Sequence, residues 1–435
     1  MQNITLNISK KNSANCTSCK RNEGKKMNNV LGNKIRYILI SALRTTALLC
    51  ASGTLVQTFV EALGFSSQLN YIHTTVLQAA NVLTIIVGAN WADKGDIIKR
   101  TAFTGLPLAF LFLGYLPFCF MNFKETGSVF AFVMLAAVGV MQMITIGLHT
   151  VCDYKIPYFV LKPEEYGAVT ATAGVLGSAI SLGVNALISI LSAKIAFTKL
   201  MFFAFILSSV FVLISVILML YQKSLINMDE VQLTKKSAKT IPLKQVFLHP
   251  AFSRLFIANL LRGFASGALS VIAIVALDLG FDAATTSAYA SIQSIAGFAA
   301  GIVFGFLSVY IHPRLLTFCG SLSYLLLPFM LSGNKFVFLA ISGIVIFGRT
   351  IVDYAVPTTL RYVVPVEIAG PYNAWRMVLQ SGGTLIATTV AAFISTELLF
   401  GIAIVFQLIS GTIYLFDKVT RKDSPILLRK KTVKR

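Results

Sequence analysis

Apolar runs of about twenty residues, separated by short polar turns, recur along the whole chain. A run of that length crosses the ~30 Å hydrocarbon layer of a bilayer at about 1.5 Å per residue. Twelve such runs predict helices over about 37–62, 71–92, 101–121, 128–153, 167–191, 198–221, 253–279, 284–310, 314–333, 335–354, 372–396 and 398–416. The ~10-residue alternating segments of a membrane β-barrel are absent. The expected fold class is an all-α membrane protein. A charged segment without apolar period, 222–252, divides the runs into six and six. The expected organisation is a basic tail (1–36), a six-helix bundle (37–221), a linker (222–252), a second six-helix bundle (253–416) and a basic tail (417–435).

The two sets of six are related. The stretch 144–157, ITIGLHTVCDYKIP, aligns without gaps on 344–357, IVIFGRTIVDYAVP, with six identities in fourteen positions. His149 stands opposite Arg349, and Asp153 opposite Asp353. Ala51-Ser52-Gly53 recurs as Ala265-Ser266-Gly267, Leu63-Gly64-Phe65 as Leu279-Gly280-Phe281, and Gln78 as Gln293, in the same order. A repeat of about two hundred residues in so apolar a chain is the pattern of a duplicated transporter core.

Composition agrees. Of 435 residues 56% are hydrophobic and 12% charged, against roughly 25% charged in soluble domains. The net charge of +20 would suit nucleic acid, but its distribution excludes that partner. The basic residues crowd into the tails, the 222–252 linker and the turn with Lys94, Lys99 and Arg100, as in loops facing the cytoplasm. Both termini are therefore expected in the cytoplasm of a bacterial plasma membrane, with lipid headgroups as the partner of the basic segments. No cleavable signal peptide is expected. Glu23–Lys26 back-translates as a purine-rich run before a Met27 codon, so translation is expected to start at Met27. Cys16 and Cys19 form a lone CxxC, which predicts no metal or cofactor.

At the turn after the second run, Gly88-Ala-Asn-Trp-Ala-Asp93-Lys94-Gly95-Asp96-Ile-Ile-Lys99-Arg100, the chain resembles the major facilitator superfamily. Asp93 and Lys94 match that family's turn in kind, the glycines are displaced by one position, and Asp96 lies outside the pattern. The resemblance implies twelve helices in two six-helix bundles, alternating access and a solute site between the halves.

Polar stripes at helical spacing mark what could line that site. They are Cys50, Thr54, Gln57 and Glu61; Tyr71, Thr74, Gln78 and Asn81; Ser287, Ser291 and Ser294; and Arg376, Gln380, Thr384 and Thr388. Polar side chains are costly against lipid, so these should face the cavity or another helix. Arg44 and Arg262 lie in repeat-related helices with no acidic residue near in sequence. One guanidinium from each half suits a phosphate or carboxylate, and family members that exchange organic phosphates are similar. The competing expectation is snorkelling toward the interface. The expected solute contacts are Arg44, Gln57, Gln78, Asn81, Arg262, Gln293, Arg376 and Gln380.

Asp153 with Arg349, and His149 with Asp353, are expected to meet across the halves as an inner gate, with Asp93 in the adjoining turn. Glu61 and His149 are the candidates for proton coupling, and exchange against a second anion is the alternative. No nucleotide loop, metal cluster or nucleophile motif is present, which argues against an enzyme or an ATP-driven pump. The expectation is a monomeric secondary transporter of a small organic solute. An organic anion or phosphorylated metabolite is favoured; drug efflux and a sugar-permease-like activity are the alternatives.

Overall fold

A computed structural model describes residues 16–92, 96–121, 129–153, 155–161, 165–192, 194–224, 250–281, 283–364, 366–418 and 420. Twelve long helical elements follow one another among them. In the first half these are α1 (Cys16–Ala51, continued by Thr54–Ala62), α2 (Ser67–Ala92), α3 (Ile97–Leu113, continued by the 3-10 turn Leu116–Phe120), α4 (Val129–Asp153), α5 (Tyr166–Ser192) and α6 (Phe197–Leu220). In the second half they are α7 (Pro250–Ser270, continued by Ile272–Asp278), α8 (Ala283–Leu307), α9 (Pro313–Leu322, continued by Ser323–Leu331), α10 (Lys335–Val363), α11 (Val366–Ala391) and α12 (Thr396–Phe416). Eleven of the described helices are long and apolar enough to span a bilayer. The remaining one, α11, is long enough but carries Arg376, Gln380 and several hydroxyl residues.

The halves pack by one plan. In the first, α1 packs on α5 and α6, α2 on α4, and α3 on α4 and α6. In the second, α7 packs on α11 and α12, α8 on α10, and α9 on α10 and α12. Across the halves α2 meets α11 and α5 meets α8, contacts that the repeat interchanges. One apolar core centres on Phe59, Phe112, Tyr115 and Phe205, another on Tyr289, Tyr324, Phe338 and Phe400. Large apolar side chains such as Val87, Phe103, Phe130, Phe203, Phe306 and Phe336 stay exposed on the outer surface, as lipid requires.

The repeated Leu-Gly-Phe has a local cause. Gly64 (φ 97°) and Gly280 (φ 82°) take the left-handed conformation that ends a helix. The next amide reaches back in both cases, Phe65 N to Val60 O at 3.4 Å and Phe281 N to Ala276 O at 3.0 Å. This is the Schellman cap, which needs glycine at the left-handed residue and an apolar residue after it. Phe65 then packs edge-to-face on Phe132, and Phe281 on Phe338, both at 5.3 Å.

Two elements differ from expectation, α1 and α10, and α7 departs from the repeat. The first helix begins at Cys16, inside the stretch expected as a tail, and breaks at Gly53 (φ 66°). The break exposes the end of the first segment, where Gln142 Nε2 donates to Ala51 O at 2.9 Å. α7 breaks at Val271 rather than at the repeat-related Ala265-Ser266-Gly267. Finally, α10 runs through Pro357 to Val363 instead of ending near 354. Proline removes one helix hydrogen bond, the one to the carbonyl of Asp353, and α10 continues past it all the same; the hydroxyls of Thr358 and Thr359 bond back to Tyr354 O and Ala355 O at 2.7 and 2.8 Å.

Candidate functional site

The elements place the expected residues in three regions. We call the end of the bundle where α1 begins and α12 ends the terminal face.

Toward that face each half holds an arginine–aspartate pair between its first and fourth helices. Arg44 Nη1 lies 2.6 Å from Asp153 Oδ1. Arg262 Nη1 lies 4.0 Å from Asp353 Oδ1. No sequence spacing announces these pairs, because each joins helices about a hundred residues apart. They correct the expected gate: in this conformation Asp153 is bound to Arg44 and not Arg349, and Asp353 is bound within its own half and not to His149. His149 is buried and turned into α3, where Nδ1 shares a hydrogen bond with Thr104 Oγ1 at 2.8 Å.

The pairs are not equivalent. Arg349, on α10, also approaches Asp353, Nε to Oδ2 at 3.6 Å. Two guanidinium groups thus converge on one carboxylate, and both distances exceed a hydrogen bond. Arg262 is only 3% exposed. Its Nη2 donates to Gln380 Oε1 at 2.6 Å, while Nε and Nη1 have no hydrogen-bond partner. Tyr289 and Tyr324 stand within electrostatic reach of Arg349. With one carboxylate for two arginines, this cluster has one positive charge in excess, whereas Arg44 and Asp153 cancel.

The remaining candidates divide. Gln78, Asn81, Gln293 and Gln380 are half-buried on α2, α8 and α11, the helices that join the halves. Asn81 Oδ1 lies beside Gly147 of α4. Arg376 is 1% exposed and lies within electrostatic reach of Tyr372 and Tyr414, as Arg262 does, with Asp417 and Asn259 beside the same tyrosines. Thr384 and Thr388 pack, Thr384 on Gly263 O at 3.0 Å. Asp93 and Tyr154 lie outside the described residues. Asp96, which the family pattern left unexplained, caps α3 by accepting from Ile98 N at 3.0 Å and Lys99 N at 3.4 Å.

At the face opposite the termini the halves are joined. Gln57 Nε2 donates to Ser270 O at 2.9 Å, Thr58 and Thr286 hydroxyls meet at 3.3 Å, and Tyr71 OH donates to Asp278 Oδ2 at 3.4 Å. These contacts close that face between α1, α2, α7 and α8. Deeper in, Asn185 of α5 donates to Ala290 O and Ser294 Oγ of α8, both at 3.2 Å. Sequence reasoning missed Asn70, Ser270, Tyr289 and Tyr324; the last two sit among apolar neighbours with no polar periodicity to mark them.

Comparison with known proteins fits this geometry. The proton:xylose symporter XylE bound to 6-bromo-6-deoxy-D-glucose superposes with TM-score 0.65 at 11% identity, over 93% of this chain and 99% of that one. XylE from E. coli in a partially occluded inward open conformation gives 0.63 at 11% identity, over 89% and 97%. A bacterial homologue of the iron transporter ferroportin, outward-facing with soaked iron, gives 0.61 at 11% identity, over 89% and 99%. These likenesses are of fold. Among curated proteins, none matches the chain. The sequence model of the Major Facilitator Superfamily matches residues 37–388, and the chain belongs to that superfamily.

Proposed function

We propose that the protein is a secondary transporter that moves a small organic anion by alternating access, and that the anion binds to the second half. The observation that carries this reading is Arg262: buried, with Nε and Nη1 unpartnered, and sharing one loosely held carboxylate with Arg349. A solute carboxylate or phosphate would fill those donors and neutralise the excess charge. Gln380, hydrogen-bonded to Arg262, positions the guanidinium, and Gln78 and Gln293 supply neutral polar contacts from the facing helices. Arg44 does not belong to the clamp, because Asp153 already holds it. The two-arginine clamp expected from sequence thus becomes a one-sided site.

The charge bias of the tails and linker supports a cytoplasmic terminal face in a bacterial plasma membrane. The Gln57, Thr58 and Tyr71 contacts join the halves at the opposite face, and Met377 of α11 and Thr358 of α10 also meet the first half toward the terminal face; alternating access would part these two sets of contacts in turn. The test is thermal unfolding of the purified, detergent-solubilised protein with sugar phosphates, carboxylates, neutral sugars, nucleosides and lipophilic cations. A ligand at a hundred times its Kd adds about 2.7 kcal/mol. Stabilisation by an anion alone is the expected result. Stabilisation by neutral sugars or cations, with none by anions, would overturn it.

A further inference from the structure

The second segment of α1 ends among acceptor oxygens that an anion cannot use. Gln57 is 4% exposed and Asn70 fully buried. Both amides have a fixed orientation. Gln57 Nε2 donates to the carbonyl of Ser270 at 2.9 Å, and Asn70 Nδ2 donates to the backbone carbonyl of Gln57 at 2.8 Å. Each amide therefore has its oxygen left over. Gln57 Oε1, Asn70 Oδ1 and Glu61 Oε2 are all buried and receive no hydrogen bond. Gln57 and Glu61 are one turn apart on one face of the helix, and Asn70 is tied to Gln57 itself. Thr74 Oγ1 stands 3.4 Å from Gln57 Nε2.

Three buried oxygens without donors, on Gln57, on the next turn of the same helix and on the residue bonded to the backbone of Gln57, one of them from a carboxylate, suit a hard cation. A single carboxylate among amide oxygens suits one positive charge rather than two, and the described residues contain no group of three His, Cys, Asp or Glu side chains that could hold a metal. The surroundings add a reason for a cation. Asp278, from the other half, lies within electrostatic reach of Glu61, with Tyr71 OH on its Oδ2. Among the described residues neither acid forms an ion pair. Closing this face thus brings two carboxylates together from opposite halves. Gln57, in the segment of α1 after its break at Gly53, bonds the carbonyl of Ser270, the last residue before the break of α7 at Val271.

We propose that Glu61, Gln57 and Asn70 bind an alkali-metal cation, and that its binding favours closure of the face opposite the termini. Gln57 couples the two events, since its oxygen serves the cation while its nitrogen holds the other half. The site is independent of the arginine cluster and of the solute's charge.

The test needs no solute. Thermal unfolding and radiolabelled-sodium binding are measured on the purified full chain, with sodium, lithium, potassium and choline exchanged at constant ionic strength. A saturable rise in Tm with an alkali cation over choline is expected. Glu61→Gln should abolish it, Glu61→Asp should retain part, and Asn70→Ala should weaken binding at least tenfold. Equal transitions in all four salts overturn the proposal, as does a saturable shift that persists in Glu61→Gln. A shift produced by acidification alone, without dependence on the alkali cation, makes Glu61 a proton site and also overturns it. The wild-type salt series decides the matter even where a variant fails to fold.

Discussion

The fourth helix of each half carries the same ending, Asp-Tyr-x-x-Pro, and the two endings fold differently. After Asp153 α4 stops, and a five-residue helix, Ile156–Val160, starts with Pro157 in its first turn. After Asp353 α10 continues through Pro357 to Val363. The position four residues earlier has diverged too. His149 turns into its own half and bonds Thr104, leaving Asp153 wholly to Arg44. Arg349 instead reaches Asp353, which is drawn between two arginines and touches neither closely. One substitution between repeats, histidine for arginine, thus separates a neutral structural pair from a cluster with a charge to spare. A duplicated scaffold can keep its helix caps and packing while giving the solute chemistry to one half.

That comparison can be broken at several points. The largest expected effect is on solute binding: Arg349→His, which gives the second half the first half's residue, should weaken anion binding at least tenfold, measured as loss of anion-induced thermal stabilisation. Gly263→Ala should cost about 1–3 kcal/mol by overpacking, because its Cβ would stand 2.0 Å from Gln380 O. Gly177→Ala, in the corresponding α1–α5 contact, meets Ala42 only at 3.2 Å and should lower Tm far less. Equal losses would mean that the two halves are packed alike after all. Asp153→Asn leaves Arg44 without its counter-charge and should cost about 1.5–3 kcal/mol, the usual contribution of a charged hydrogen bond. The smallest effects should also be the most symmetric. Gly64→Ala and Gly280→Ala both force a side chain into the left-handed region and should cost about 1 kcal/mol each, read as matched shifts in Tm.

Much of this architecture was legible in the sequence. Length and apolarity marked the spans, and the Ile144–Pro157 and Ile344–Pro357 repeat marked the duplication. The Leu-Gly-Phe pairs marked the duplication as well, and the structure shows why they recur: each closes a helix with the same glycine cap. The site was legible only in part. Helical periodicity finds residues on one face, so it grouped Arg376 with Gln380. It could not tell that Arg376 is buried near Tyr372 and Tyr414 while Gln380, four residues on, is half-buried and bonded to Arg262. Nor could it find Arg44–Asp153 or Arg262–Asp353, because such pairs depend on which helices pack. The expected end of α10 falls short of Pro357, although a helix held by packing on its neighbours tolerates the loss of the single hydrogen bond that a proline removes. Asp96 looked foreign to a family pattern and proved to be an ordinary helix cap.

The most direct test of the one-sided site compares the two arginines. Equilibrium binding of the anion found by the solute screen would be measured on wild type, Arg262→Gln and Arg44→Gln, each checked for a cooperative unfolding transition. The account predicts a loss of a hundredfold or more for Arg262→Gln and less than about fivefold for Arg44→Gln, the latter with a lower Tm, since a buried charged donor to the ligand contributes ~3 kcal/mol and a structural pair contributes none to binding. Equal losses of affinity in the two variants would contradict it and restore a symmetric clamp with one arginine from each half.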